Sequence, residues 1–141
     1  NVPAIVGMGA AAVVAHEQLE TDLRHASELR ELFLDALKDV PDMRVNGGSN
    51  ATPYILSLSF QGIEGESLVI ELDRRGFAVS SGAACSSHST EPSHVLAALG
   101  LEPEWARGAV RISFGRCNTP QSSRDLANSL RESVENLRKL R

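Results

Sequence analysis

Hydrophobic residues recur at three- and four-residue steps from Val2 to about Val40, which is the spacing of one face of an α-helix. The polar face of this stretch carries acidic and basic neighbours, as a solvated helix surface does. Its first half differs, because residues 2–15 are apolar or small on nearly every side. A helix of that kind is usually buried on several sides, either as an internal core helix or against a domain outside this sequence.

Four short apolar segments have the composition of β-strands and are bounded by Gly, Pro, Asn or Ser. In chain order they are MRVNG, YILSLSF, FAVS and GAVRISF. The second begins at Tyr54 after Pro53, and Ile55 is the one position that breaks its alternation. These segments predict a small sheet.

Further helices are predicted between and after the strands. ESLVIELDRRG has an apolar face and a stop at Gly76, while EPSHVLAALG has Pro92 in its first turn and Gly100 at its end. LEPEWARG predicts one more helical turn. The closing helix in PQSSRDLANSLRESVENLRKL places on one face Leu126, Leu130, Val134, Leu137 and Leu140. A long helix, clustered strands and helices packed on them predict an α+β fold.

Length and composition narrow the classes of function. A chain of 141 residues is by default one domain. Its net charge of −4 and its aromatic content of 4% offer neither a basic field nor stacking surfaces for nucleic acid. The apolar opening is about 15 residues long and lacks a basic leader, so we expect no membrane or targeting segment. A start at Asn1 rather than Met suggests part of a longer or processed polypeptide.

Cysteine usage points to one candidate nucleophile. The two cysteines, Cys85 and Cys117, are too few for a disulfide scaffold, which favours a reducing cytosolic compartment, and no metal-ligand spacing is present. Cys85 lies in SSGAACSSHSTEPSHV, whose small side chains cannot form a core, so we expect an accessible thiol. His88 would raise its thiolate fraction if the segment folds back, although a solvated histidine is the plainer interpretation. A reactive and an idle cysteine remain alternatives at this point.

A second candidate is Arg111, which lies in a predicted strand between Val110 and Ile112 and projects from the opposite face. If that face is covered, the guanidinium needs an anion, and its planar fork suits a carboxylate. The alternative is an edge-strand arginine paired with a local Asp or Glu. Arg116 and Cys117, beyond the strand, are interpreted as structural or incidental.

Two segments carry a resemblance to a known family. AVSSGAACSSHSTEPSHVLAALGL and VRISFGRCNTPQ closely resemble the C-terminal part of the group I (NifS/IscS-type) cysteine desulfurases, and NVPAIVGMGAAA and YILSLSFQGIEGESLVIELD do so more weakly. The resemblance implies the aminotransferase-like fold of pyridoxal-phosphate (PLP) enzymes, usually homodimers. Residues 1–141 would be a single C-terminal domain fragment, with 1–40 as the interdomain helix, 41–141 as the small domain, and the PLP-binding domain absent.

The resemblance also implies roles for both candidates. Cys85 matches the catalytic cysteine that attacks the sulfur of PLP-bound L-cysteine, giving L-alanine and a cysteine persulfide. Arg111 matches the arginine that holds the substrate carboxylate. The small-residue loop would carry the persulfide to an acceptor such as an iron–sulfur scaffold protein. The cytoplasmic location itself is expected from the cysteine usage.

The sequence departs from the family in ways that leave alternatives open. No Ser-x-His-Lys pattern is present, and neither Lys38 nor Lys139 suits the cofactor-binding lysine, so we expect this chain alone to bind PLP weakly or not at all and to be inactive. It stops at LRKLR, where many relatives carry a tail for the acceptor. A non-catalytic sulfur-relay or docking module remains possible, as does another class V aminotransferase-like enzyme in which Cys85 is idle.

Overall fold

The computed structural model describes residues 1–48, 50–81 and 93–140. Within these ranges the elements follow in the order α1 (Val2–Leu37), β1 (Met43–Asn46), β2 (Ile55–Phe60), α2 (Gly65–Arg74), β3 (Ser80–Ser81), α3 (His94–Ala98), α4 (Pro103–Arg107), β4 (Ala109–Ser113) and α5 (Pro120–Lys139). The strands form one antiparallel sheet in the order β1-β2-β4-β3. The predicted α+β class is confirmed.

Helix α1 has two halves in different environments. It begins at the cap residue Asn1, whose side-chain oxygen accepts a hydrogen bond from the N–H of Ala4 at 3.2 Å. Its second half packs along α5 and buries, from Ala26 onward, the residues Ala26, Leu29, Phe33 and Leu37. Residues 1–21 are exposed throughout. An internal core helix is therefore the wrong interpretation for the first half, because no described element lies against it.

By length and composition α1 also qualifies as a helix that could cross a membrane, which differs from our expectation for its apolar opening. The same composition is found in core helices of soluble proteins, so it assigns no membrane by itself.

The sheet has a helix-covered face and an open face. Alternate residues of β2 and β4 point toward α1, α2 and α5 and form the main core with them, namely Leu56, Leu58, Phe60, Val110 and Ile112. Burying each such side chain contributes about 1.5–3 kcal/mol. Phe33 and Phe114 meet edge to face in this core, with ring centroids 5.8 Å apart. Ile55, the predicted misfit in β2, is exposed.

The short helices α3 and α4 cover one end of the open face. Leu96 and Ala106 from these helices pack with Ala109 of β4 in a second, small cluster. Arg44 of β1 pairs with Glu102 at 3.3 Å and its guanidinium carbon lies 5.8 Å from the centre of the Trp105 ring. These contacts hold α4 against the sheet.

Gly108, between α4 and β4, permits the closest backbone approach at this end of the sheet. A Cβ atom at this position would lie 1.9 Å from the carbonyl oxygen of Phe60. The N–H of Phe60 donates to the carbonyl of Gly108 at 3.1 Å, so the two backbones are in direct contact. A side chain there would separate β2 from β4.

Three local predictions need correction. The strand expected in FAVS is only Ser80–Ser81, because Phe77 and Val79 pack against the main core instead of joining the sheet. Helix α3 begins after Ser93, and Pro92 lies outside the described residues. The closing helix does not bury Leu140, which follows its last turn and is exposed.

The buried face of α5 is smaller and more polar than the sequence predicted. Besides Leu130 and Val134 it contains Ala127, Ser123 and Ser133, which have small side chains. The hydroxyl of Ser123 donates to the carbonyl of Leu29 in α1 at 2.9 Å. Small residues let the two helices approach closely enough for this contact.

Candidate functional site

Arg111 lies at the middle of β4, an inner strand of the sheet between β2 and β3. Because Val110 and Ile112 face the core, strand alternation places the side chain of Arg111 on the open face, where it is exposed. Its Nη2 atom donates a hydrogen bond to Oγ of Ser80 in β3 at 3.3 Å. The predicted direction of the side chain is confirmed.

The alternative of an edge-strand arginine paired with an acidic residue is wrong for the part of the chain that the structure describes. Strand β4 is flanked on both sides, and Arg111 takes part in none of the ion pairs between described residues. Ser80 is a neutral partner, so the positive charge is not compensated by it. The guanidinium has several N–H donors, and one of them is used in this contact.

Cys85 and His88 lie outside the described residues. In sequence, the strand that contains Ser80 continues directly into the segment that contains Cys85. Strand β3 therefore connects Arg111 and Cys85 along the chain. Its first residue, Ser80, contacts Arg111, and its last residue, Ser81, precedes the segment that contains Cys85. The roles predicted for both side chains remain predictions.

A row of polar side chains crosses the open face of the sheet through Arg111. Asn46 is paired with Ser57, Ser57 with Arg111, and Arg111 with Ser80, so the four lie side by side across all four strands. We call Asn46, Ser57, Arg111 and Ser80 the polar row. Residues directly opposite in an antiparallel sheet share a face, with Cβ atoms about 4.5–5.5 Å apart.

Hydrogen bonds organise the β1 end of the polar row. The Nδ2 atom of Asn46 donates to Oγ of Ser57 at 3.0 Å and to Oγ of Ser59 at 2.8 Å. Asn46 is only 8% exposed, and its Oδ1 atom is buried with no partner among the described residues. A buried acceptor without a hydrogen bond lowers stability by about 1–3 kcal/mol, so a hydrogen-bond donor placed next to Oδ1 of Asn46 would be stabilising.

Asn46, Ser57 and Ser80 were not predicted as site residues from the sequence. A polar residue at every second position of YILSLSF was a visible signal, because such residues share the face opposite the core. Their proximity to Arg111 depends on strand order and register, which the sequence does not reveal.

Arg116 and its neighbours serve to hold the loop after β4 against α1. Nη2 of Arg116 lies 2.7 Å from Oδ2 of Asp22, and Nε2 of His25 donates to the carbonyl of Asn118 at 2.9 Å. The structural interpretation of Arg116 is confirmed. Cys117, in the same loop, is exposed with a free thiol.

The described lysines do not fit a site for covalent PLP binding. Nζ of the exposed Lys38, the residue that follows α1, lies 3.3 Å from Oδ1 of Asp35, and Lys139 is the last residue of α5. Helices α1 and α5 lie on the core face of the sheet, whereas Arg111 is on the open face. Among the described residues there is also no cluster of acidic, His and Cys side chains able to hold a metal ion.

The chain matches one protein-family model, that of the aminotransferase class-V family, over residues 1–124. A cysteine desulfurase IscS of Vibrio vulnificus (strain CMCP6) is 44% identical over 135 residues, which cover 95% of this chain and 33% of the relative. Another, from Neisseria meningitidis serogroup C (strain 053442), is 42% identical over 137 residues, covering 96% and 33%. The chain thus spans about a third of the length of the curated relatives it matches.

Solved structures show the same similarity. A NifS-like protein superposes with a TM-score of 0.83 and 30% identity, over 97% of this chain and 34% of its own length. The cysteine desulfurase CsdA of Escherichia coli, in a form described as S-sulfonic acid, has a TM-score of 0.63 and 25% identity over 82% of this chain and 26% of its own.

Proposed function

The chain belongs to the aminotransferase class-V family, and on this premise we propose that it is the part of a PLP-dependent cysteine desulfurase that supplies the sulfur-accepting cysteine, Cys85. The observation that carries the proposal is the 44% identity to a cysteine desulfurase IscS along 95% of the chain. The similarity includes α1 as well as the sheet, since the matched region covers nearly the whole sequence.

In the proposed reaction the thiol of Cys85 takes the sulfur of L-cysteine. The C–S bond of the substrate breaks with its electron pair left on carbon, and an S–S bond to Cys85 forms. The carbon takes up a proton, equivalent to the one that the Cys85 thiol gives up, which gives L-alanine and an enzyme persulfide. PLP supplies the electron sink for chemistry of this class. The described residues do not fit its attachment, so we assign that role to the remainder of the polypeptide.

Arg111 holds the α-carboxylate of L-cysteine in this proposal. Its guanidinium is exposed on the open face, is fixed by Ser80 through one contact, and pairs with none of the described acidic residues. Charge-assisted hydrogen bonds contribute about 1.5–3 kcal/mol each, enough to orient a small amino acid. Orientation of the substrate is what brings its sulfur within reach of a thiolate.

The larger assembly is also part of the proposal. We place the enzyme in the cytoplasm as a homodimer that hands its persulfide sulfur to an acceptor such as an iron–sulfur scaffold protein. The exposed apolar half of α1 supports a larger protein, because residues 2–15 offer an uncovered surface that the rest of the polypeptide would bury.

The test uses the complete polypeptide that contains this chain, in wild-type form and as Cys85→Ser. The wild type is expected to convert L-cysteine to L-alanine, while Cys85→Ser loses persulfide formation and keeps the visible absorbance of bound PLP. Unchanged release of L-alanine in Cys85→Ser would contradict the role of Cys85. Conversion of L-cysteine to its 2-oxo acid instead of L-alanine would favour an aminotransferase-like enzyme. A wild-type protein that forms neither product would favour a docking or sulfur-relay module.

A further inference from the structure

We propose that Ser57 is a second carboxylate-binding residue beside Arg111, with Asn46 as the positioning residue that directs its hydroxyl. This inference rests on the proposed function, because the carboxylate is that of the substrate. It adds Ser57 to Arg111 as a residue of the polar row that contacts the substrate. The observations behind it are the strand register and the hydrogen bonds on the open face.

Register places Ser57 where a carboxylate held by Arg111 would be. Ser57 of β2 is directly opposite Arg111 of β4 in the antiparallel pair, so their Cβ atoms are about 4.5–5.5 Å apart on the same face. Ser80 flanks Arg111 on the other side and already accepts from it. A carboxylate above β4 therefore lies within reach of the side chains of Arg111 and Ser57 together.

The hydrogen bond from Asn46 determines what the Ser57 hydroxyl can do. Oγ of Ser57 accepts from Nδ2 of Asn46 at 3.0 Å, which leaves its hydrogen to be donated elsewhere. The guanidinium of Arg111 has no acceptor, so this hydrogen cannot go to it. A carboxylate accepts at both oxygens, and one bound by Arg111 would satisfy the hydroxyl as well.

The Asn46 amide is enclosed and faces two hydroxyl groups. Its Nδ2 atom reaches the hydroxyls of both Ser57 and Ser59, and the residue is 8% exposed. With the opposite amide orientation, the Ser57 hydroxyl would donate its hydrogen to Oδ1 of Asn46. That hydrogen would then not be available to a ligand. The inference therefore requires the orientation in which the amide nitrogen faces the serines.

Ser59 offers a matched control in the same strand. It accepts from the same amide at 2.8 Å but is fully buried and is paired with Ala109 instead of Arg111. Replacing either serine with alanine removes one hydrogen bond to Asn46 and one hydroxyl. Only Ser57 lies opposite a charged residue, Arg111, that would bind a carboxylate next to it.

The experiment measures steady-state kinetics of the complete polypeptide with L-cysteine for the wild type, Ser57→Ala, Ser57→Thr and Ser59→Ala. Ser57→Ala is expected to raise KM about 3- to 10-fold with a smaller change in kcat, because a hydrogen bond to a charged group is lost. Ser57→Thr keeps the hydroxyl and is expected to restore KM. Ser59→Ala is expected to leave KM within about twofold of the wild type.

A substrate without the carboxylate separates binding from a structural effect. With L-cysteinamide in place of L-cysteine, Ser57→Ala is expected to raise KM less than it does with L-cysteine, because the neutral amide oxygen accepts a weaker hydrogen bond than a carboxylate. Equal effects of Ser57→Ala and Ser59→Ala, or an equal effect of Ser57→Ala on both substrates, would overturn the inference while leaving the proposed function intact. A wild type without turnover of L-cysteine would overturn the proposed function, and this inference with it.

Discussion

Nη2 of Arg111 lies 3.3 Å from Oγ of Ser80, the residue directly opposite it in the pairing of β3 with β4. The contact connects the centre of the sheet to the strand that leads in sequence to Cys85. Because a hydroxyl is neutral, it orients the guanidinium without cancelling its charge. The arrangement leaves Arg111 able to bind a carboxylate on the open face.

Replacing Arg111 with lysine tests the importance of the planar fork. In the complete polypeptide, Arg111→Lys is expected to raise KM for L-cysteine about 10-fold or more, since an ammonium keeps the charge but loses bidentate geometry. Arg124→Lys is the matched control, because Arg124 is exposed on α5, on the helix-covered side. Similar kinetics for Arg111→Lys and Arg124→Lys would argue against a carboxylate-binding role.

The isolated chain is expected not to attach PLP. Lys38 is paired with Asp35 at the surface and Lys139 ends α5, so neither lies in a site that would favour covalent attachment. Reduction with borohydride after mixing with PLP, followed by mass spectrometry, is expected to find no stoichiometric adduct. Stoichiometric labelling of the wild type that disappears in Lys38→Ala, or release of sulfide and alanine from L-cysteine, would refute this expectation.

The uncovered half of α1 predicts self-association of the isolated chain. Ile5 and Met8 are 64% and 73% exposed, and sedimentation velocity at rising concentration is expected to show oligomers. Ile5→Glu combined with Met8→Lys is expected to give a monomer that keeps the folded structure. In the complete polypeptide the same pair is expected to lower stability, because in the proposed enzyme the remaining part would cover this surface.

A contrasting substitution in the other half of α1 provides the control. Phe33→Ala removes a fully buried ring and is expected to lower the free energy of unfolding by about 3–5 kcal/mol. A monomeric isolated wild-type chain at all concentrations would contradict the interpretation of the first half of α1 as an uncovered interface.

Gly108→Ala tests the close approach of β2 and β4. The added methyl group would lie 1.9 Å from the carbonyl oxygen of Phe60, so the backbones must separate, at a cost of roughly 1–3 kcal/mol. Gly48→Ala, where nothing lies within 4 Å, is expected to change stability by less than about 0.5 kcal/mol. Denaturant unfolding compares the two, and equal midpoints would show that the contact does not constrain the sheet.

Local patterns in the sequence were sufficient for most elements. The period of α1, the alternation around Arg111 and the glycine at the end of α2 follow from short-range steric and hydrophobic rules, and the structure confirms them. The strand predicted in FAVS was wrong because the apolar residues of that segment pack against the main core. The predicted burial of Leu140 was wrong because this residue follows the last turn of α5, where no described element covers it.

The candidate site was only partly predictable, for a different reason. Arg111 and Cys85 were found from residue type and resemblance, but the contact with Ser80 and the register of Ser57 depend on which strands become neighbours. Strand order is set by tertiary packing over long sequence separations, such as that between β2 and β4. The serines carry no distinguishing signal until that order is known.

The most direct test of the account locates the transferred sulfur. The complete polypeptide is incubated with L-cysteine, its thiols are alkylated, and peptide mass spectrometry compares Cys85 with Cys117, the exposed thiol that serves as an internal control. The account predicts one added sulfur atom on the Cys85 peptide and none on the Cys117 peptide. An unmodified Cys85 under conditions that release L-alanine, or added sulfur on Cys117 alone, would contradict it.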